Sequence, residues 1–257
     1  MNDFPQPRMR PFLDAADGDV DRALDLYQWN AEMAGAVLEQ ISHLEVLLRQ
    51  AIDTHMSSYI NETQSGIPWV LLPPCSTTQG AAIEKVRERL RARNQETRDQ
   101  IVANLSFGFW SGWLGSKYEE LWRQCLHKAF PHSPGRRADV AGIVEQIRKF
   151  RNRVAHHDSL LNVAIKFEMD AVFRLAEYIS PDAAKWMRSV DRTQAVATRR
   201  PCTTMDTVIV PAQKAWPLYQ SIPAYVCQAG RYFQDVQYVA FYADRAIQPE
   251  VLEWSGF

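Results

Sequence analysis

The spacing of hydrophobic and polar residues predicts helices over most of the first 180 residues of this chain. Apolar side chains recur every three or four positions, which is the period of an amphipathic helix. The segments with this period are 19–60, as one long helix or two abutting ones, 81–105, most of 106–126, and 137–162. Residues 163–179 continue or restart the last of these helices. Proline- and glycine-containing stretches at 65–80 and 131–135 separate them as loops, and residues 1–18 are expected to be only partly ordered. We therefore predict a mainly α-helical bundle over residues 1–188.

The pattern changes after this bundle. Residues 189–204 are polar and poor in helix-forming patterns, which predicts a linker. Short runs rich in Val, Ile, Tyr and Phe then predict strands at 207–212, 224–228 and 236–243. We place a small β-rich or mixed C-terminal unit of unknown role at 205–257. About 50 residues form only a marginal independent fold, so we expect this unit to pack on the bundle.

The composition is that of an ordinary soluble globular protein, with 46% hydrophobic and 23% charged residues. Lys and Arg number 29 and Asp and Glu number 30, so any nucleic-acid site must be a local basic patch. The four cysteines form no CxxC pair, which argues against a zinc site and indicates free thiols in a reducing compartment. The N-terminus lacks a signal-peptide core, and no apolar run is long enough to span a membrane. We expect a cytoplasmic protein that does not bind membranes.

The segment FRNRVAHHDS, residues 150–159, groups side chains that suit phosphate chemistry. On a regular helix, six apolar positions lie within about 40° of Val154 and would face the core: Ile143, Ile147, Phe150, Val154, Leu161 and Ile165. Asn152 and His156 are four residues apart and point away from that stripe. Arg151 is about 140° from His156 around the helix. Either the helix is irregular here, or the two side chains act together across an interface with a second copy.

Two interpretations of this outward face remain open at this point. Arginine, asparagine and histidine on such a face are most often a solvated surface. Alternatively, an Arg/His pair performs phosphate chemistry, because histidine exchanges protons near neutral pH and arginine holds a phosphate and its developing charge. Such a pair needs no metal or other cofactor. The sequence contains neither an HExxH motif nor a carboxylate cluster with metal-ligand spacing.

Three segments carry a resemblance to a known family. RNRVAH fits the arginine–polar–three residues–histidine signature of the HEPN superfamily, whose nuclease members cut RNA. The stretch that contains LRQAI (26–53) and the stretch that begins LSFGFW (105–122) resemble the opening helices and the FGFW-type segment of its Abi-like (abortive infection) branch. In this order the three segments make residues 20–180 similar to that branch. The last 60 or so residues lie outside the resemblance.

The resemblance implies a HEPN-like helical bundle that forms a homodimer, with the signature helices of two copies face to face. Arg151 would contact the scissile phosphate, Asn152 would orient the site, and His156 would act as general acid and base. The implied activity is that of a metal-independent endoribonuclease, in which the RNA 2′-hydroxyl attacks its own phosphate. The implied roles are phage defence by abortive infection or toxicity. Transfer RNA is a target by analogy, and the partners implied are RNA and a cognate antitoxin or regulator.

Other residues are candidates for supporting roles. His157 either packs against a neighbouring helix or assists the site, and Arg153 is either a surface residue or one that steers phosphates. Glu45 and Arg49, four apart on the first long helix, either form an ordinary ion pair or line the catalytic cleft. Four aromatic residues are expected in the bundle core, with base stacking as the alternative: Phe107, Phe109, Trp110 and Trp113.

Two further functional hypotheses stay open. The first is a non-catalytic HEPN module that binds RNA, a nucleotide or a partner protein, which suits the near-zero net charge and the lack of a broad basic stripe. The second is a helical dimerisation scaffold whose function lies in the C-terminal unit. There RRPC (199–202), GRYF (230–233) and Tyr242 supply arginines and aromatic rings that suit either RNA contact or packing.

Overall fold

The computed structural model describes residues 6–63, 68–71, 77–201, 207–222, 224–225 and 236–253. Its helices and strands, in chain order, are α1 (Gln6–Ala15), α2 (Val20–Thr63), α3 (Thr77–Arg91), α4 (Arg98–Asn104), α5 (Phe107–Gly112), α6 (Glu119–Gln124), α7 (Arg137–Ala155), α8 (Ile165–Ile179), α9 (Pro181–Ser189), α10 (Thr193–Ala197), β1 (Thr207–Pro211), α11 (Trp216–Ser221), β2 (Tyr238–Ala243) and β3 (Ala246–Glu253). Short 3-10 helices span Trp69–Leu71, Ser116–Tyr118 and Leu126–Ala129. The described chain is mostly helical with one small mixed sheet, which confirms the predicted mainly α fold.

The chain divides into two compact units that interleave along the sequence. Unit 1 comprises residues 1–36, 157–167 and 192–257, and unit 2 comprises residues 37–156 and 168–191. Helix α2 therefore contributes its first part to unit 1 and its longer second part to unit 2. The sequence predicted consecutive blocks, whereas the compact units join segments that are distant along the chain.

The core of unit 2 includes the apolar stripe of α7 and a cluster of aromatic rings. The buried positions of α7 are Val140, Val144, Ile147, Phe150 and Val154. The predicted stripe is confirmed at Ile147, Phe150 and Val154, whereas Ile143 is only half-buried. Leu161 and Ile165 are also buried, but they lie beyond the end of α7. The stripe therefore faces the core as expected, over a shorter helix.

The prediction that this helix continues to about residue 162 is wrong. Helix α7 ends at Ala155, His156 occupies its C-cap, and α8 begins only at Ile165. His157 follows with φ 58°, the left-handed conformation that commonly terminates a helix. Histidine is one of the few residues other than glycine that visit this region. Helix propensity does not reveal that a residue will adopt a left-handed conformation. The spacing of apolar positions alone therefore predicted a helix that is too long.

The expectation that residues 1–18 are only partly ordered is wrong for the described part. Helix α1 buries Met9, Phe12 and Ala15, and the ring of Phe12 meets Tyr27 of α2 edge to face at 5.3 Å. Asp19 then caps α2, because its side chain accepts hydrogen bonds from the backbone N–H of residues 21 and 22. Tertiary burial therefore orders a segment whose proline, aspartate and glycine content suggested a loose end.

The helix predicted over 81–105 is two helices. Asn94 has φ 52°, which ends the turn after α3, and Thr97 begins α4 by accepting a hydrogen bond from the backbone N–H of Gln100 at 3.2 Å. Two ion pairs from Arg87 and Arg91 to Glu96 close the corner between them, at 2.8 and 2.7 Å. These local polar contacts replace the continuous helix that the charge-rich pattern suggested.

The C-terminal part of the chain contains the predicted β structure. Strand β1 pairs with β2 in parallel and β2 pairs with β3 antiparallel, giving the order β1-β2-β3. One face has a core of Val210, Ala212, Trp216, Val239, Phe241 and Ala243. Strands at 207–212 and 236–243 agree with the sequence prediction, β3 was missed, and most of the strand predicted at 224–228 lies outside the described residues. The predicted linker 189–204 contains α10, which buries Thr193 and Val196, so its helix-poor interpretation is wrong at 193–197.

Candidate functional site

The signature residues lie at the C-terminal end of α7, within unit 2. Arg151 and Asn152 belong to the last helical turn and are half-buried, whereas His156 at the C-cap is exposed. The backbone N–H of His156 donates to the carbonyl of Asn152 at 2.9 Å, so the helical path continues through this residue. Asn152 and His156 therefore keep the predicted spacing of one turn.

The same helical geometry keeps the side chains of Arg151 and His156 apart. Because the helical hydrogen bond persists to the C-cap, their side chains leave the helix about 140° apart. The helix does become irregular in this segment, but the irregularity follows His156 rather than preceding it. The break in the helix therefore does not rotate these two side chains toward one another.

Helix α2 supplies the neighbour of Arg151. The Nε atom of Arg151 lies 3.5 Å from Oε1 of Glu45, and the two side chains are 38% and 33% exposed. An ion pair that is this accessible contributes less than about 1 kcal/mol to stability. Glu45 therefore lies beside the guanidinium without holding it firmly, and part of the guanidinium stays open to a ligand.

The predicted ion pair between Glu45 and Arg49 is absent from the described structure. Arg49 instead donates from Nη1 to the backbone carbonyl of Ala103, at 2.8 Å. This contact is made in the last turn of α4 and ties that helix to α2, because cations stabilise the unpaired carbonyls of a helix C-terminus. Of the two candidates on α2, Glu45 contacts a signature residue and Arg49 has a structural contact.

His157 and Arg153 are both exposed. The main contribution of His157 is made by its backbone, since its left-handed conformation terminates the helix and its carbonyl oxygen accepts a hydrogen bond from Nη1 of Arg8. This contact lies within unit 1. The interpretation of His157 as a side chain packed against a neighbouring helix is therefore wrong, and Arg153 is a surface position.

The four aromatic residues of the FGFW-type segment are core residues. Phe107, Phe109, Trp110 and Trp113 are all buried. Trp69 joins them, with ring centroids 5.9 to 6.3 Å from three of these rings. Base stacking requires an accessible ring face, so the alternative role for this group is excluded by burial.

The arginines proposed for the C-terminal unit are used in packing. Arg199 lies 3.3 Å from a carboxylate oxygen of Glu32, and the guanidinium of Arg200 stacks over Trp29, 5.0 Å from its centroid. Tyr242 is exposed on β2, and GRYF lies outside the described residues. Both arginines are therefore held against α2 within unit 1.

Sequence reasoning missed two exposed apolar side chains of unit 2. Val46, next to Glu45 on α2, and Trp186 on α9 are 54% and 52% exposed. The ring of Trp186 meets His43 edge to face at 4.8 Å, one turn before Val46 along α2. A sequence pattern can flag these residues only as departures from a polar face. Which exposed residues lie next to one another is decided by the packing of α9 on α2.

Within the described ranges, no three or more His, Cys, Asp or Glu side chains are grouped so that they could hold a metal ion. The helices of those ranges include none with the length and apolarity that crossing a membrane requires. Comparisons of this chain with protein-family models, with curated proteins and with solved structures found no match. The Abi-like HEPN assignment therefore stays a prediction from the three sequence segments.

Proposed function

We propose that this protein is a metal-independent endoribonuclease of the HEPN type. The observation that carries the proposal is the arrangement at the end of α7. An exposed histidine and a half-buried asparagine are one turn apart, and an arginine in the last turn of the same helix is paired with a glutamate. Together with the sequence resemblance, this arrangement supplies a proton-transfer group, a polar orienting group and a phosphate-binding cation.

In this proposal each residue has a defined role in the cleavage. His156 accepts the proton from the RNA 2′-hydroxyl, whose oxygen attacks the adjacent phosphorus atom. The bond from phosphorus to the 5′-oxygen breaks, and that oxygen takes up a proton from a histidine. The products are a 2′,3′-cyclic phosphate and a 5′-hydroxyl. Arg151 stabilises the charge that develops on the phosphate oxygens, and Asn152 orients the phosphate.

The site is completed by a second copy of the chain. Because Arg151 and His156 leave α7 about 140° apart, a two-fold dimer with facing signature helices brings one chain's arginine toward the other chain's histidine. We expect the interface to be centred on residues 148–160.

Cleavage assays test the activity and the shared site. Purified protein incubated with total RNA in EDTA should cut it, leaving 2′,3′-cyclic phosphates. Arg151→Ala and His156→Ala proteins should each be inactive, and a mixture of the two should recover part of the activity, because one heterodimer site keeps both groups. An active protein that stays monomeric at micromolar concentration in light scattering contradicts the shared site.

A non-catalytic HEPN module that binds RNA, a nucleotide or a partner protein is the second candidate, and one observation favours it. Arg151 is already paired with Glu45, which reduces the charge available to a scissile phosphate. Binding of RNA without cleavage, unchanged in His156→Ala, supports this candidate. Toxicity in growth assays that depends on His156 supports the nuclease, with roles in phage defence or as a toxin controlled by an antitoxin.

A further inference from the structure

An open pocket lies at the opposite end of α7 from the signature. Its volume is about 590 Å³, which is in the range of small-molecule sites. It is formed by the end of α6, the 3-10 helix Leu126–Ala129 and the loop before α7. From Arg137 to Arg151 is about 21 Å along a helix, so the pocket and the signature are separate sites within unit 2.

The side chains that line this pocket are of two kinds. Trp122, Phe130 and Pro131 supply apolar surface, and Arg123, His127 and Lys128 supply basic groups. None of the lining residues is acidic. The rings of Trp122 and Phe130 stack at 5.7 Å and are almost fully buried, so they back the pocket, and Pro131 is its exposed apolar residue.

No strong ion pair among the described residues neutralises the basic groups of this pocket. Lys128 is exposed and has no ion-pair partner among the described residues. Arg123 lies 3.5 Å from Glu119, but its side chain is 71% exposed, and the other oxygen of that carboxylate binds Arg137 at 2.7 Å. Exposed pairs of this kind contribute little. The pocket therefore has an excess of positive charge.

The local backbone fixes the ring of His127. Its Nδ1 lies 3.0 Å from the carbonyl oxygen of Trp122. Because a carbonyl oxygen only accepts hydrogen bonds, Nδ1 carries a proton, and a second proton on the cation must reside on Nε2. The protonated ring therefore has Nε2–H as a donor for an anion.

His55 on α2 responds to the same charges. Burial, followed by the positive charges of Lys128 and His127, lowers the pKa of His55. A bound anion would offset those charges. His55 is thus a reporter of whether the pocket is occupied.

We propose that this pocket binds a nucleoside 5′-phosphate. Lys128, His127 and Arg123 hold the phosphate, and the base lies against the exposed Pro131. The apolar surface distinguishes this ligand from a simple inorganic anion, which leaves that surface solvated. The proposal does not depend on ribonuclease activity at the signature.

Titration calorimetry with AMP tests the proposal on the full-length protein. We expect saturable binding of one AMP per chain and at least tenfold weaker binding of inorganic phosphate. Lys128→Glu should weaken AMP binding about tenfold or more, since a charged hydrogen-bond donor is replaced by a repelling group. Lys85→Glu, at an exposed lysine of α3, is the matched control for net charge and should bind AMP as the wild type does.

Two further measurements make the test specific. In NMR titrations, saturating AMP should raise the pKa of His55, which a purely structural role of Lys128 does not produce. If Lys128→Glu fails to fold, His127→Gln provides the same comparison, because its side chain cannot become a cation. No binding of AMP at millimolar concentration, or equal loss in the Lys85 control, overturns the proposal. Equal affinity for AMP and inorganic phosphate rejects the nucleoside part.

The ligand can come from free nucleotide or from the end of an RNA. Competition of AMP with 5′-phosphorylated and 5′-hydroxyl oligoribonucleotides distinguishes these sources. His156→Ala protein is used so that the oligomers are not cut. Preferential competition by the 5′-phosphorylated form indicates RNA ends, and equal weak competition by both indicates free nucleotide. Because His156 is distant from the pocket, failure of the nuclease proposal leaves this result unaffected.

Discussion

Replacing His156 by alanine distinguishes a catalytic role of this histidine from a structural role. The side chain is exposed at the C-cap of α7, and the hydrogen bond that ends the helix is made by the backbone N–H. We therefore expect the free energy of unfolding to change by less than about 0.5 kcal/mol. Loss of a general acid–base group should slow cleavage by about 10²- to 10⁴-fold, equivalent to roughly 3–5 kcal/mol of barrier.

Val154, two residues earlier, gives the opposite pattern. It is fully buried, and Val154→Ala removes two methyl groups from the core, which costs about 2 kcal/mol with the cavity included. That variant should lose stability while its folded fraction keeps the wild-type rate. His132→Ala, at another exposed histidine, is the chemical control and should change neither quantity.

The assay combines urea denaturation followed by circular dichroism with initial cleavage rates on one labelled RNA in EDTA. The catalytic role of His156 is contradicted if His156→Ala cleaves at the wild-type rate. It is also contradicted if activity is lost only in proportion to lost helicity. In the second case the residue is a structural cap of α7.

Three other predictions concern stability. Asp53→Ala should lower the free energy of unfolding by about 2–3 kcal/mol in urea denaturation, because the buried carboxylate accepts hydrogen bonds from the indole of Trp69 and the guanidinium of Arg98. Asp99→Ala, which removes the exposed partner of the same guanidinium, should cost under about 0.5 kcal/mol. Equal effects of the two changes would contradict the burial argument. His157→Gly should raise stability by about 0.5–1 kcal/mol in thermal melts, since glycine adopts φ 58° without strain; a decrease would show that the histidine side chain stabilises the fold. Burial and the charge of Lys128 lower the pKa of His55. As the pH falls, the unfolded chain therefore binds this proton before the folded chain does, and stability should fall below about pH 6.5. Lys128→Ala should make this loss of stability smaller, and an unchanged pH dependence would contradict the coupling.

The local sequence was sufficient to place the signature on a helix. Apolar positions at three- and four-residue spacing predicted that Ile147, Phe150 and Val154 face the core, and burial confirms it. The same geometry placed Asn152 and His156 one turn apart, as they are. Both results follow because the period of a helix is a property of the backbone and does not depend on neighbouring elements.

Helix ends were less well predicted, because they depend on single residues with weak intrinsic preferences. Asn94 and His157 both adopt left-handed conformations that end a helical run, yet neither residue adopts this conformation reliably enough to be predicted from its type. Helix α1 shows the converse case. Its formation depends on burying Phe12 against Tyr27, which no local pattern in a segment rich in proline and aspartate indicates.

The sequence by itself determined the helical class, the core-facing stripe of α7 and the outward direction of the signature, because each depends on residue type and helical period. Only the tertiary structure decided that Glu45 pairs with Arg151 rather than with Arg49. Arg123, His127 and Lys128 are close along the chain, but only the fold places them with Pro131 and Gly135 around one pocket. The physical reason is that the energies of exposed ion pairs are too small to select a partner. Partners are instead chosen by where burial of the apolar faces places the helices.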